Sequence, residues 1–117
     1  MHTNIRNEYG TISIDNEVIA RIAGLTATEC YGIVGMAARN VRDGLIHLLK
    51  IDSLTKGVRL ETKEDGLYVD LHVVVVYGTS IDAIAGALIN NVKYKIEESV
   101  DIPVREINVY IEGVRVD

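Results

Sequence analysis

The chain has no tryptophan, no phenylalanine, one cysteine and one proline among its 117 residues. The lone Cys30 excludes an intramolecular disulfide framework and fits a reducing compartment, where such a thiol behaves as a small apolar side chain. Six tyrosines are the whole aromatic complement, so stacking platforms for bases are not expected. Basic residues are outnumbered 12 to 17, the formal net charge is −5, and the lysines and arginines are scattered rather than drawn into the stripe that grips nucleic acid. No run approaches the ~18 consecutive apolar residues of a membrane span, and the opening Met-His-Thr-Asn-Ile-Arg-Asn-Glu lacks the apolar core of a secretion signal. The expectation is a cytoplasmic chain that reaches a membrane only through a partner.

Chemistry is scarce as well. His2, His47 and His72 sit at no metal-ligand spacing from one another, no phosphate loop is present, and no serine or cysteine nucleophile has a base nearby in sequence. We therefore expect no catalytic residue, no metal and no cofactor. At 48% hydrophobic residues the chain is long enough for one domain over residues 1–117 with its own core, and the polar residues 1–8 are expected to be flexible.

Periodicity supplies the elements. Ile12 and Ile14 alternate in a short strand that ends at Asp15, a good N-cap, and a first helix follows. Its core face, at about 100° per residue, is predicted to hold Val18, Ile19, Ile22, Leu25, Thr26 and Cys30, with Gly32 ending it. A short helix is predicted over residues 43–50. Asp65-Gly66 between two alternating runs predicts a tight hairpin with Thr62 opposite Val69, Leu60 opposite Leu71 and Val58 opposite Val73. That register places Glu61 against Asp70 and Arg59 against His72 on the wet face. Leu67, Val69, Leu71, Val73, Val75 and Tyr77 then point inward, which makes Asp70 and His72 ordinary surface neighbours rather than an active site.

Thr79 or Ser80 is expected to cap a second helix whose apolar stripe is Ile81, Ile84, Ala85, Leu88, Val92, Ile96 and Val100, and Pro103 forbids its continuation. A last strand, 104–112, turns Ile107, Val109 and Ile111 inward. The predicted class is α+β: a mixed sheet of about four strands with two main helices on one face, in the order β-α-(α)-β-β-α-β.

Three surfaces invite contact. Ala20, Gly24, Ala27 and Tyr31 line one stripe of the first helix, and Ala83, Ala87, Asn90 and Tyr94 repeat its spacing on the second. Small residues at seam spacing admit another backbone, either the neighbouring helix or another subunit, and also suit a plain solvent face. Val74 and Val76 fall on the outer face of the long strand, covered by the Leu45–Ile51 segment or left for a partner. The third is Gly32-Ile-Val-Gly35, a bare Gly-x-x-Gly of the kind that clasps backbone phosphates in KH-type RNA-binding modules, here without a basic residue inside it.

With these segments in place the chain resembles the alkaline shock protein family, the Gls-type envelope stress response proteins of Gram-positive bacteria. The resemblance runs from about Gly10 to Val116. It is carried by Gly10-Thr-Ile-Ser-Ile, Glu17-Val-Ile-Ala-Arg-Ile-Ala-Gly24, Tyr31-Gly-Ile-Val-Gly-Met36, Lys56-Gly-Val-Arg, Val69-Asp-Leu-His-Val-Val-Val-Val-Tyr-Gly78, Val92-Lys and Ile107-Asn-Val-Tyr-Ile-Glu-Gly-Val114. Asp101-Ile-Pro103 departs from it, since a glycine-containing turn is common there. The resemblance implies a non-enzymatic, self-associating cytoplasmic protein of cell-envelope homeostasis, held near the membrane in some members by a separate anchor protein, with no catalytic residues. The expected function is a homo-oligomeric scaffold or adaptor for protein partners, its contacts made by the two helix stripes and the outer valines. Ala27→Arg and Ala87→Arg are both expected to weaken self-association without unfolding the domain.

Overall fold

The computed structural model describes residues 2–7, 10–39, 46–78 and 80–116. Strands β1 (His2–Asn7) and β2 (Gly10–Asp15) lead into helix α1 (Asn16–Thr28). Strands β3 (Ile33–Arg39) and β4 (Ile46–Leu48), a 3₁₀ helix (Ile51–Gly57) and strands β5 (Val58–Lys63) and β6 (Gly66–Val76) follow. Helix α2 (Ile81–Val100) and strand β7 (Val104–Arg115) complete the chain. The class is α+β.

β6 is the centre of the main sheet. One edge is shared, its first half pairing antiparallel with β5 and its second half with β3, while β7 runs parallel along the other edge. β4 extends the sheet beyond β3. A strand flanked on both edges and packed on one face needs the dense β-branched run found here. Leu67, Val69, Leu71, Val73 and Val75 are all fully buried, against Ile19, Ala23 and Ala27 of α1 and Ile84, Leu88, Val92 and Ile96 of α2. Each such side chain removed from water contributes about 1.5–3 kcal/mol, so this one face is the main source of stability.

Helix α2 is bounded as its sequence predicts. The Ser80 side chain accepts the Ala83 N–H at 3.4 Å, and Asp82 lies in the first turn, where the helix dipole favours a carboxylate. At the other end Asp101 is left-handed, with φ 56°, and its N–H donates to the Glu97 carbonyl at 3.0 Å. The Glu97 carboxylate in turn accepts the Val104 N–H at 2.8 Å, which ties the helix end to the start of β7.

Several expectations are corrected. The predicted helix over 43–50 is not formed by its described part: Ile46–Leu48 is a strand paired with Ala37–Arg39, and the helical turn comes later, at Ile51–Gly57. Residues 43–45 lie outside the described residues. β3 was unexpected, because its small residues alternate weakly, and long-range pairing with β6 defines it instead. His2–Asn7, expected as a flexible polar end, pairs as a strand with Gly10–Asp15, since a backbone ladder needs no apolar side chains.

The hairpin is shifted by two residues. Glu64 and Asp65 form the loop, Gly66 opens β6 at φ 140°, and a Cβ there would collide with the Pro103 carbonyl oxygen. Because side chains alternate with period two, this slip keeps every residue on its expected face but changes its partner. Arg59 now faces Asp70 and Glu61 faces Tyr68, which removes the like-charge pair.

The buried face of α1 is rotated from the predicted one. Val18 and Leu25 are exposed, whereas Ala20, Ala23, Gly24 and Ala27 point inward. The reason is close approach: a Cβ on Gly24 would stand 3.2 Å from Cβ of Leu54 in the 3₁₀ helix, so only small residues fit that side. Tyr77 and Ile81 are exposed rather than inward, because β6 ends at Val76 and α2 begins beyond it. Val104, expected on the outer side, is buried in the core after a register shift between the Leu67 and Tyr68 pairings.

Candidate interaction surface

The site is built where three chain segments meet at one end of the sheet. After α1 the chain turns through Gly32 at φ 85°, a left-handed value that favours glycine. The Gly32 carbonyl accepts the Val76 N–H at 2.9 Å, and the Tyr77 N–H donates to the Arg115 carbonyl at 2.8 Å. The turn after α1, the loop from β6 to α2 and the end of β7 are thereby tied together. A Cβ on Gly32 would overlap the Ile84 side chain, so the bare glycine lets α2 seat against this turn.

That seating leaves a cleft of about 350 Å³ lined by Tyr31, Gly78, Ser80, Ala83, Ile84 and Ala87. No lining residue carries a charge. Tyr31 stands beside it as a knob, 87% exposed, and Tyr77, Ile81, Val114 and Val116 surround it as further exposed apolar side chains. The structure thus brings Tyr31, from the first predicted stripe, against Ala83 and Ala87 of the second. Asn90 and Tyr94 continue along the exposed side of α2, where Tyr94 borders a second cleft with Thr26, Glu29, Cys30, Asn91 and Lys95.

The other members of the first stripe are not available. Ala20, Gly24 and Ala27 are buried within the chain, for the packing reason given above, and are corrected from contact surface to core. The outer valines are corrected too. Val74 is buried between its partners Gly35 and Gly113, with Leu48 Cδ2 3.5 Å from the place a Cβ on Gly35 would occupy, and Val76 is half-buried. Sequence reasoning missed Tyr77, Ile81, Val114 and Val116, because each continued a periodic pattern past the point where its element stops.

The rest of the outer sheet face is polar and paired. His72 stacks on Tyr110 with ring centroids 4.9 Å apart, and its Nδ1 lies 2.8 Å from Glu112 Oε1. Asn108 Nδ2 donates to Asp70 Oδ1 at 3.1 Å, so the two polar residues of the β6 run are held by β7. Tyr68 donates to Asp65 Oδ2 at 2.8 Å beneath the Lys63 ammonium, 4.2 Å from the ring centroid. The Asp65 hydrogen bond, some loss of solvation and the carboxylate's charge raise the Tyr68 pKa above its ordinary value. Among the described residues no group of three or more His, Cys, Asp or Glu is placed to hold a metal, and no helix is long and apolar enough to cross a membrane.

The Gly-x-x-Gly reading is also corrected. Ile33-Val-Gly35 lies in β3, paired with β6, so the segment is not a free loop between helices that could wrap a phosphate backbone. Its first glycine is explained by Ile84.

Comparison with known proteins agrees with this picture. YloU of Bacillus subtilis (strain 168) is 39% identical over 117 residues, covering 99% of this chain and 98% of the relative. YqhY of the same organism is 31% identical, over 92% of this chain and 79% of its own length. A Streptococcus pyogenes protein named stress response regulator gls24 homolog is 26% identical over 91% of this chain and 59% of its own length. Among solved structures, a MamM C-terminal domain variant (MamM-CTD H285A) superposes with a TM-score of 0.50 at 11% identity, covering 85% of this chain and 98% of that one, a likeness of fold alone. The model of the alkaline shock protein family, described as having a "cell envelope-related function", matches residues 4–116, and the chain belongs to that family.

Proposed function

We propose that this protein is a non-enzymatic cytoplasmic adaptor in cell-envelope stress homeostasis, working by self-association and by binding protein partners, and membrane-peripheral only through such a partner. The observation that carries this reading is the uncharged cleft at Tyr31, ringed by exposed Tyr77, Ile81, Val114 and Val116. Contiguous apolar surface of this kind is costly to leave in water and marks contact sites on soluble domains. Tyrosine at such a place gives large, rigid contact area with little entropy to lose. The polar groups on the opposite face are engaged with one another, which suits a structural sheet surface better than a catalytic one.

The test is complementation in a Bacillus subtilis strain lacking its 39%-identical relative. The wild-type chain is expected to restore growth under envelope stress, and a folded Tyr31→Ala/Ala87→Arg variant to fail. Full restoration by that variant would remove the surface from the account.

A further inference from the structure

We infer that the cleft takes Tyr31 of a second copy of this chain, while its own Tyr31 enters the cleft of that copy, in a two-fold interface. The inference rests on the self-association reading above and names its contact. Two features select the occupant. First, Tyr31, Gly78, Ser80, Ala83, Ile84 and Ala87 offer no charge, and the Ser80 hydroxyl already accepts the Ala83 N–H, so a charged ligand finds no counter-ion here. An anionic membrane surface is disfavoured further by a net charge of −5. The cleft suits an apolar or aromatic group.

Second, such a group stands beside it. Tyr31 is 87% exposed at the rim of the cleft it would fill in another copy. A knob next to its own hole is the arrangement an isologous contact requires, because a two-fold axis between them makes both insertions at once and closes the assembly at two copies. The area is sufficient. Tyr31, Tyr77, Ile81, Val114 and Val116 present on the order of 500 Å², at roughly 200 Å² for a fully exposed tyrosine. The cleft walls add to this, approaching the ~800 Å² per partner of a standard interface. With −5 on each copy the long-range term is repulsive, so association is apolar and strengthens as salt screens that repulsion.

Sedimentation equilibrium of the full chain, of Tyr31→Ala, of Ala87→Trp and of their equimolar mixture tests this. Both sites are exposed, so both variants are expected to keep the wild-type melting transition; Ala83→Trp replaces Ala87→Trp if that chain fails to fold. The wild type is expected to dimerise, tighter at higher salt. Each variant should dissociate at least ~30-fold more readily, as for loss of an interface hot spot. The mixture should bind more tightly than either variant alone, because one intact knob meets one intact hole. A wild-type dimer unaffected by both substitutions overturns the interface and leaves self-association standing. A wild type that stays at the mass of one chain at every concentration overturns both, and assigns the cleft to a different protein.

Discussion

The Cβ position of Gly32 falls inside the side chain of Ile84. One glycine thus sets how closely the turn after α1 approaches α2, and its φ of 85° is a second reason for the residue. Gly32→Ala combines backbone strain with forced overlap and should cost about 2–4 kcal/mol. Gly35, where a Cβ would meet only Leu48 Cδ2 at an ordinary 3.5 Å, should tolerate alanine at under ~1 kcal/mol. Urea unfolding of the two variants measures the contrast, and equal losses would contradict it.

Asp101 ends α2 in a left-handed conformation that a non-glycine residue pays for, and its carboxylate lies at the negative end of the helix dipole. Asp101→Gly removes both penalties. Despite the freedom glycine adds to the unfolded chain, we expect a gain of about 0.5–1 kcal/mol, a rise of roughly 2–6 °C in Tm by calorimetry. An unchanged or lower Tm would show that Asp101 holds something beyond the turn.

Arg59 faces Asp70 across the hairpin. A double-mutant cycle on Arg59→Ala and Asp70→Ala should give an attractive coupling of about 0.2–1 kcal/mol that shrinks in high salt. Coupling between Glu61 and Asp70 should be weaker and repulsive. The reverse ranking would restore the register shifted by two.

How far the sequence carried the fold is clearest in this hairpin and in α1. The faces of β5 and β6 were legible because alternation is a local property, but the partners were not, since Asp65-Gly66 reads equally well as the loop or as its exit. The crossover from β6 through α2 to β7 was legible from the i, i+4 row Ile84, Leu88, Val92, Ile96 and from Pro103. The face of α1 was misread because hydrophobicity ranks Val18 and Leu25 above alanine and glycine, while contact with Leu54 admits only the small residues. Tyr31, Ala83 and Ala87 were singled out as contact residues, but nothing local shows that the turn at Gly32 would bring the first beside the other two.

Tyr68 donates to the Asp65 carboxylate, and Tyr94 is held in the same way by Glu98 one helical turn on, so both pKa values lie above the ordinary 10.0. A raised folded pKa means that what these bonds contribute is present at lower pH and is lost as pH climbs past 10.0 through the folded value. In an ultraviolet titration two tyrosines should ionise late. Tyr68→Phe should remove one of them, and Glu98→Gln should return Tyr94 toward the ordinary range. Six tyrosines titrating together would contradict the two bonds.

Self-association through the Tyr31 end is most directly tested by the mass of the chain in solution. Sedimentation equilibrium of the wild type should show a reversible passage from one-chain to two-chain mass as concentration rises. Ala87→Arg, with its charge in the exposed cleft, should hold the one-chain mass while keeping its circular dichroism. Ala27→Arg, at a fully buried site, should instead lose the fold. A wild type of one-chain mass throughout, or an Ala87→Arg variant that dimerises as the wild type does, would contradict the account.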